Sequence, residues 1–213
     1  ASWYEKHEDF DAAQLVMLAN PLSSDLNAMR QSLLFGGMNS VLWNINRQNS
    51  NIKFYEFGNC YFRTNSSHNP PVVSDYTERM SLDLFISGNT SGEGWTRKQN
   101  AATFYDIKST VEMVLSRLGI DAGALEGEES AKKYFAESVT YSHNNQVVAE
   151  AGRISGNLLS EFDIHQDVFY SHLEWDPILK IIKNNSISFS ELPKYPSVRR
   201  DLAILIDKHV KFS

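Results

Sequence analysis

The groups through which this chain could do chemistry are six histidines, one cysteine and 26 carboxylate side chains. His7, His68, His143, His165, His172 and His209 are dispersed. No GxGxxG, P-loop, GxSxG or HExxH pattern is present, so the phosphate cradles, nucleophile elbow and zinc helix those spacings build are not offered. His165 and His172 can meet only through tertiary folding, and they read as surface or hydrogen-bonded core histidines. Cys60 sits in an aromatic run and reads as a small buried hydrophobe, not a nucleophile. As the single cysteine it excludes an internal disulfide and a multi-cysteine zinc site. Glu126, Glu128 and Glu129 could offer oxygens to a hard cation, but beside Gly123 and Gly127 they read as a solvated loop. Asp163 and Asp167 could act as paired carboxylates, yet nothing in the pattern places them in a cleft.

Any such group must be held by regular elements, and these are legible from periodicity. "QLVMLA", Gln14 to Ala19, reads as a strand closed by Asn20-Pro21, with Ser23, Ser24 and Asp25 as helix N-cap candidates. Leu34, Met38, Val41, Leu42 and Ile45 then recur at helical spacing within residues 32–48. Gly36-Gly37 in that helix suggests a close approach to another element. Residues 52–63 read as an aromatic strand with an irregularity at Gly58. Met80, Leu82, Leu84 and Ile86 alternate as a half-buried strand. Phe104, Ile107, Val111, Val114, Leu115 and Leu118 give the clearest helix, ended by Gly119. Asn144-Asn145 joins two strands as a hairpin. Residues 167–175 form a further strand, and Pro177 opens a short helix. Strand follows strand without crossover helices, so the class is α+β: an antiparallel sheet with helices on one side.

Composition narrows the function classes. With 213 residues and 42% hydrophobic content the chain can bury a sizeable core. No apolar run approaches the roughly 18 residues of a membrane span. The start, "ASWYEKHEDFDAAQ", is polar and acidic, unlike a secretory leader. A cytoplasmic protein is expected, with the sequons at Asn65, Asn89 and Asn184 due to chance. Residues 101–192 carry 7 basic and 14 acidic side chains, a poor match for a phosphate backbone, while residues 193–213 carry 5 and 2.

Several anchors occur in a fixed order: Asn20-Pro21-Leu22-Ser23, Met29-Arg30, Ser32-Leu33-Leu34, Asn46-Arg47-Gln48, Glu56-Phe57-Gly58 and Trp95. "FYDIKSTVEMVL", "HLEWDPIL" and "YPSVRRDLAILID" follow. Together they resemble the β subunit of bacterial phenylalanine–tRNA ligase, in a C-terminal portion of it. The resemblance implies a class II aminoacyl-tRNA synthetase core-like fold: an antiparallel sheet flanked by helices. It implies an (αβ)2 heterotetramer in which the α subunit holds the active site. ATP and Mg2+ are then implied for the whole enzyme and tRNA(Phe) for the full-length subunit. No catalytic, cofactor or metal residue is expected here. Class II sites hold the ATP α-phosphate with an arginine from an F-R-x-E strand. The comparable stretch here reads Phe54-Tyr55-Glu56-Phe57. A late glycine-rich strand ends in a second arginine, and here "YSHLEWDP" places Glu174 near that point. The family's His-Pro-Gly stretch and a second His-Pro also have no counterpart beside His143 and at Ser155-Gly156-Asn157.

The expected work of residues 1–192 is therefore that of a structural, non-catalytic core-like module. Arg30, Trp43 and Arg47 are candidates for contact with the α subunit, with Arg30–Glu56 as an internal ion pair the competing reading. Leu34, Met38 and Val41 are assigned to the module's own core. Residues 193–213 resemble a linker and the first strand, Leu202 to Ile206, of a ferredoxin-like anticodon-binding domain, with Arg199, Arg200 and Asp201 at the junction. The alternative is a stand-alone binding module, for nucleic acid or glycan, on the same fold. An active class II enzyme is opposed by the missing arginines.

Overall fold

The computed structural model describes residues 1–23, 27–64, 68, 71–92, 94–95, 99–183, 195, 198, 200–203 and 205–206. Its helices are α1 (Ser2–Lys6), α2 (Leu34–Ile45), α3 (Phe104–Arg117), α4 (Gly156–Glu161) and α5 (Trp175–Ile182). Its strands are β1 (Ile52–Arg63), β2 (Tyr76–Ser87), β3 (Glu126–Glu128), β4 (Phe135–His143), β5 (Gln146–Ile154) and β6 (Val168–Glu174). They form one six-stranded sheet in the order β1-β2-β6-β5-β4-β3, antiparallel throughout.

Helices cover both faces, not the single face that periodicity suggested. On one side Tyr4, Leu34, Phe35, Met38, Val41 and Leu158 pack against Phe85, Ile154 and Tyr170. On the other, Ile107, Val111, Leu115 and Ile178 pack against Leu84, Ile86, Ala149, Ala151 and Leu173. The reason lies in β2. Its second half is buried on both faces, from Leu84 through Ser87, so the apolar alternation describes only one of its two buried sides. Leu34, Met38 and Val41 are core residues, as expected.

Local chemistry explains the element ends. Thr103 and Asp106 close a capping box at the start of α3, and Gly119 follows its end with φ +78°. Asn144 and Asn145 adopt φ 51° and 61°, the left-handed pair a two-residue hairpin turn requires. Gly37 answers the question of the glycine pair: a Cβ there would lie 2.0 Å from the Phe85 ring, so α2 can seat on β2 only without a side chain.

Four expectations fail. Residues 14–19 form no strand, only an isolated bridge between Met17 and Ala28, because the run is too short to pair further. α2 begins at Leu34, where the Ser32 Oγ accepts the Leu34 N–H, so Ser23 does not cap it; Ser24 and Asp25 lie outside the described residues. β1 pairs with β2 without a register break at Gly58. Glu126–Glu128 is a short strand, though exposed as expected. Among the described residues no helix is long and apolar enough to cross a membrane.

Candidate functional site

Strand register builds a polar cluster at the centre of the sheet. Antiparallel pairing sets Asp83 of β2 opposite His172 of β6 and, on the other flank, Glu150 of β5 opposite the same histidine. Strand alternation turns Tyr170, His172 and Glu174 to the face that carries α1, α2 and α4. Asp83 is fully buried and Glu150 is 8% exposed. The Tyr170 hydroxyl donates to Asp83 Oδ2 at 2.6 Å, and His172 Nδ1 meets Asp83 Oδ1 at 2.7 Å. His172 Nε2 lies 3.4 Å from Glu174 Oε1. Glu150 accepts from Ser130 Oγ at 2.9 Å, with Thr140 and Tyr134 hydroxyls at 3.4 and 3.5 Å.

The protonation states follow from this crowding. Burial pulls the His172 pKa down, but the charges and hydrogen bonds of Asp83 and Glu174 outweigh it and push it up to about 10. Burial pushes Glu174 up, and pairing with His172 more than reverses this, so its pKa is lowered. Tyr170 is held well above its ordinary value by burial and then by the Asp83 charge; Tyr134 is raised by burial and then by Glu150. Burial and then the Asp83 charge raise the Cys60 thiol to about 11, so the thiol is inert as its sequence setting suggested. At neutral pH the cluster is one imidazolium among carboxylates, with the phenols acting as donors. The histidine already carries its proton, and Tyr170 donates to Asp83, so no nucleophile–base pair exists in it.

The sequence-predicted residues fall in separate places. Arg30 makes an internal ion pair with Glu56 and donates Nε to the Asn59 carbonyl at 2.8 Å. A Cβ at Gly58 would sit 2.3 Å from Arg30 Nη2, so the glycine clears a path for this guanidinium. Trp43 is 55% exposed on α2, and the Arg47 guanidinium stacks on its ring 3.6 Å from the centroid. Trp43 and Arg47 thus form one outward-facing pair one helical turn apart, joined by the Arg47 Nη1 bond to the Trp43 carbonyl. Arg200 and Asp201 are exposed, and Arg199 lies outside the described residues. Leu202, Ala203, Leu205 and Ile206 are exposed and lie in no strand. His165 pairs locally with Asp163 at 3.2 Å, while Asp167 faces Arg153 at 3.5 Å, so neither the two histidines nor the two aspartates converge. Among the described residues no group of histidine, cysteine and carboxylate side chains is arranged to hold a metal.

Sequence reasoning passed over Asp83, Glu150, Tyr134 and Tyr170. A signal was there: Asp83 interrupts the run "MSLDLFIS", and a charge inside a buried run implies a buried partner.

Residues 1–175 match the family described as the phenylalanyl tRNA synthetase beta chain CLM domain. The chain is 39% identical over 215 residues to the phenylalanine–tRNA ligase beta subunit of Bacteroides thetaiotaomicron. It is 31% identical over 214 residues to that of Porphyromonas gingivalis. Each match covers 100% of this chain but 26% of the relative, so the chain spans about a quarter of these proteins. The crystal structure of pyrrolysyl-tRNA synthetase from Desulfitobacterium hafniense superposes with a TM-score of 0.57 at 15% identity, over 80% of this chain and 53% of that one. The fold is thus the class II synthetase core-like sheet that the resemblance implied.

Proposed function

The chain belongs to the phenylalanyl-tRNA synthetase beta-chain family, and from that premise we propose that it is a structural, non-catalytic core-like module of a phenylalanine–tRNA ligase β subunit. Its partner is the α subunit, in an (αβ)2 enzyme that uses ATP and Mg2+ to attach phenylalanine to tRNA(Phe) in the cytoplasm. The observation that carries the non-catalytic reading is the filled centre of the sheet. Phe85, Tyr134 and Tyr170 pack there ring against ring, and Asp83 and Glu174 flank a single imidazolium, with Glu150 at the cross-strand position beside it. ATP does not fit these residues. A triphosphate would meet net negative charge, and the space is taken by aromatic side chains.

The module's role is then to present surface. The Trp43–Arg47 pair on α2 is the proposed contact with the α subunit, since exposed aromatic and arginine side chains are what interfaces favour. Arg30 is assigned to its internal pair with Glu56 and leaves the list of contact candidates. Titration calorimetry of the chain with ATP and Mg2+ tests the central reading. No saturable heat is expected, and a one-site isotherm would overturn it.

A further inference from the structure

Three positions neighbouring His172 carry carboxylates: Asp83 and Glu150 as its two cross-strand neighbours and Glu174 two residues along its own strand. Asp83 and Glu150 are both more than nine-tenths buried. A carboxylate taken out of water is costly unless a charge or strong donors meet it. Here the neutral donors are divided unevenly. Glu150 has three hydroxyls around it, whereas Asp83 has one phenol and the imidazole. The charges of Arg79 and Lys132 act through space on Glu174. Among the described residues the imidazole alone bridges Asp83 and Glu174, with one ring nitrogen toward each, at 2.7 and 3.4 Å.

The geometry points to a cation-binding site that the chain fills with its own side chain: Asp83 and Glu174, backed by Glu150, form a receptor for a flat nitrogen cation with two opposed N–H donors, and His172 is its tethered ligand. The assignment does not depend on the proposed function. It follows that removing the ring leaves an anionic hollow of imidazole shape, and His172 is still 16% exposed, so the hollow opens to solvent. Small planar nitrogen cations in solution should then occupy it.

The test uses His172→Ala in the whole 213-residue chain. Thermal melts are recorded at mildly acidic pH with added imidazole, which is protonated there, or with pyrazole, a ring of the same size that stays neutral. The variant should melt on the order of 10 °C lower than the parent, as for a buried charge that has lost its partner. Imidazole should raise the melting temperature saturably, by mass action on the folded state. Pyrazole should not, and adding Asp83→Asn should abolish the effect of imidazole. Equal recovery with pyrazole, no recovery at all, or recovery that survives Asp83→Asn overturns the assignment. If His172→Ala does not fold, nitrogen-15 NMR of the parent chain decides. Both His172 ring nitrogens protonated at mildly alkaline pH supports the site, and a neutral tautomer there rejects it.

Discussion

The two faces of this sheet are built on different principles. Under α3 and α5 the core is mainly aliphatic and, among the described residues, carries no buried charge: Ile107, Val111 and Leu115 meet Leu84, Ile86, Ala149, Ala151 and Leu173, with Phe169 and Tyr141 as its buried rings. Under α1, α2 and α4 it is aromatic and charged, with Phe35, Phe85 and Tyr170 beside Asp83, His172 and Glu150. The aliphatic face is held by burial, which is non-directional and tolerates changes of shape. The charged face is held by partners that must all be present, because each buried charge is costly without its counterpart. A catalytic sheet would keep one face open for substrate. Here that face is closed by rings and by internal ion pairs, so one sheet carries two cores.

The largest effects should come from unbalancing the charged face. His172→Ala is expected to cost about 3–5 kcal/mol in urea unfolding, because Asp83 stays buried with its phenol donor only. Leu115→Ala, on the aliphatic face, should cost about 2–5 kcal/mol through the cavity it leaves. The two differ in pH dependence, which is the measurement that separates the faces. His172 has a raised folded pKa, so its contribution is fully present below its ordinary value of 6.5 and is lost as pH rises toward about 10. Cys60 acts in the same direction, losing its contribution as pH rises from its ordinary value of 9.0 toward about 11. The facing groups, Asp83, Glu174, Glu150, Tyr134 and Tyr170, share this field, and the charges of Arg79 and Lys132 act on Glu174. Between pH 6.5 and 9, below the range in which Cys60 contributes, the parent chain and Leu115→Ala should lose stability in parallel, and His172→Ala should be nearly flat. A parallel fall in the parent chain and both variants would show that His172 is not the group responsible.

A smaller effect is expected on the outer surface. Trp43→Glu removes one exposed cation–π pair, worth about 0.5–1 kcal/mol, and should leave the melting curve almost unchanged. Its expected effect is on assembly with the α subunit, read by size-exclusion chromatography of the mixed chains. Unchanged assembly would remove the pair from the proposed contact. Arg30→Ala should act the other way, costing up to about 1 kcal/mol of stability with assembly intact, since its half-exposed pair with Glu56 is internal.

Some of this was legible in the order of residues. The α2 and α3 stripes, the Asn144-Asn145 hairpin and the bounds of β1 follow from spacing and turn chemistry, which act over a few residues. Cys60 as an inert thiol follows from its aromatic neighbours in the chain. The short helices α1 and α4 were not legible, because five- and six-residue helices carry too little periodicity and are held by packing of Tyr4 and Leu158. Gly58 was misread as an irregularity because its reason is Arg30, 28 positions earlier in the chain.

By itself the sequence determined the class of fold, the family and the absence of known catalytic patterns, since these rest on local spacing and on anchors in order. Only the tertiary structure decided which charges meet. Asp83, Glu150 and His172 are separated by 67 and 22 positions, and antiparallel register alone brings them into line across three strands. That register is set by which face each strand buries, because a one-residue slip would turn every side chain over. Burial then fixes the protonation of the cluster, since only in a dry sheet centre must each charge find a partner of opposite sign.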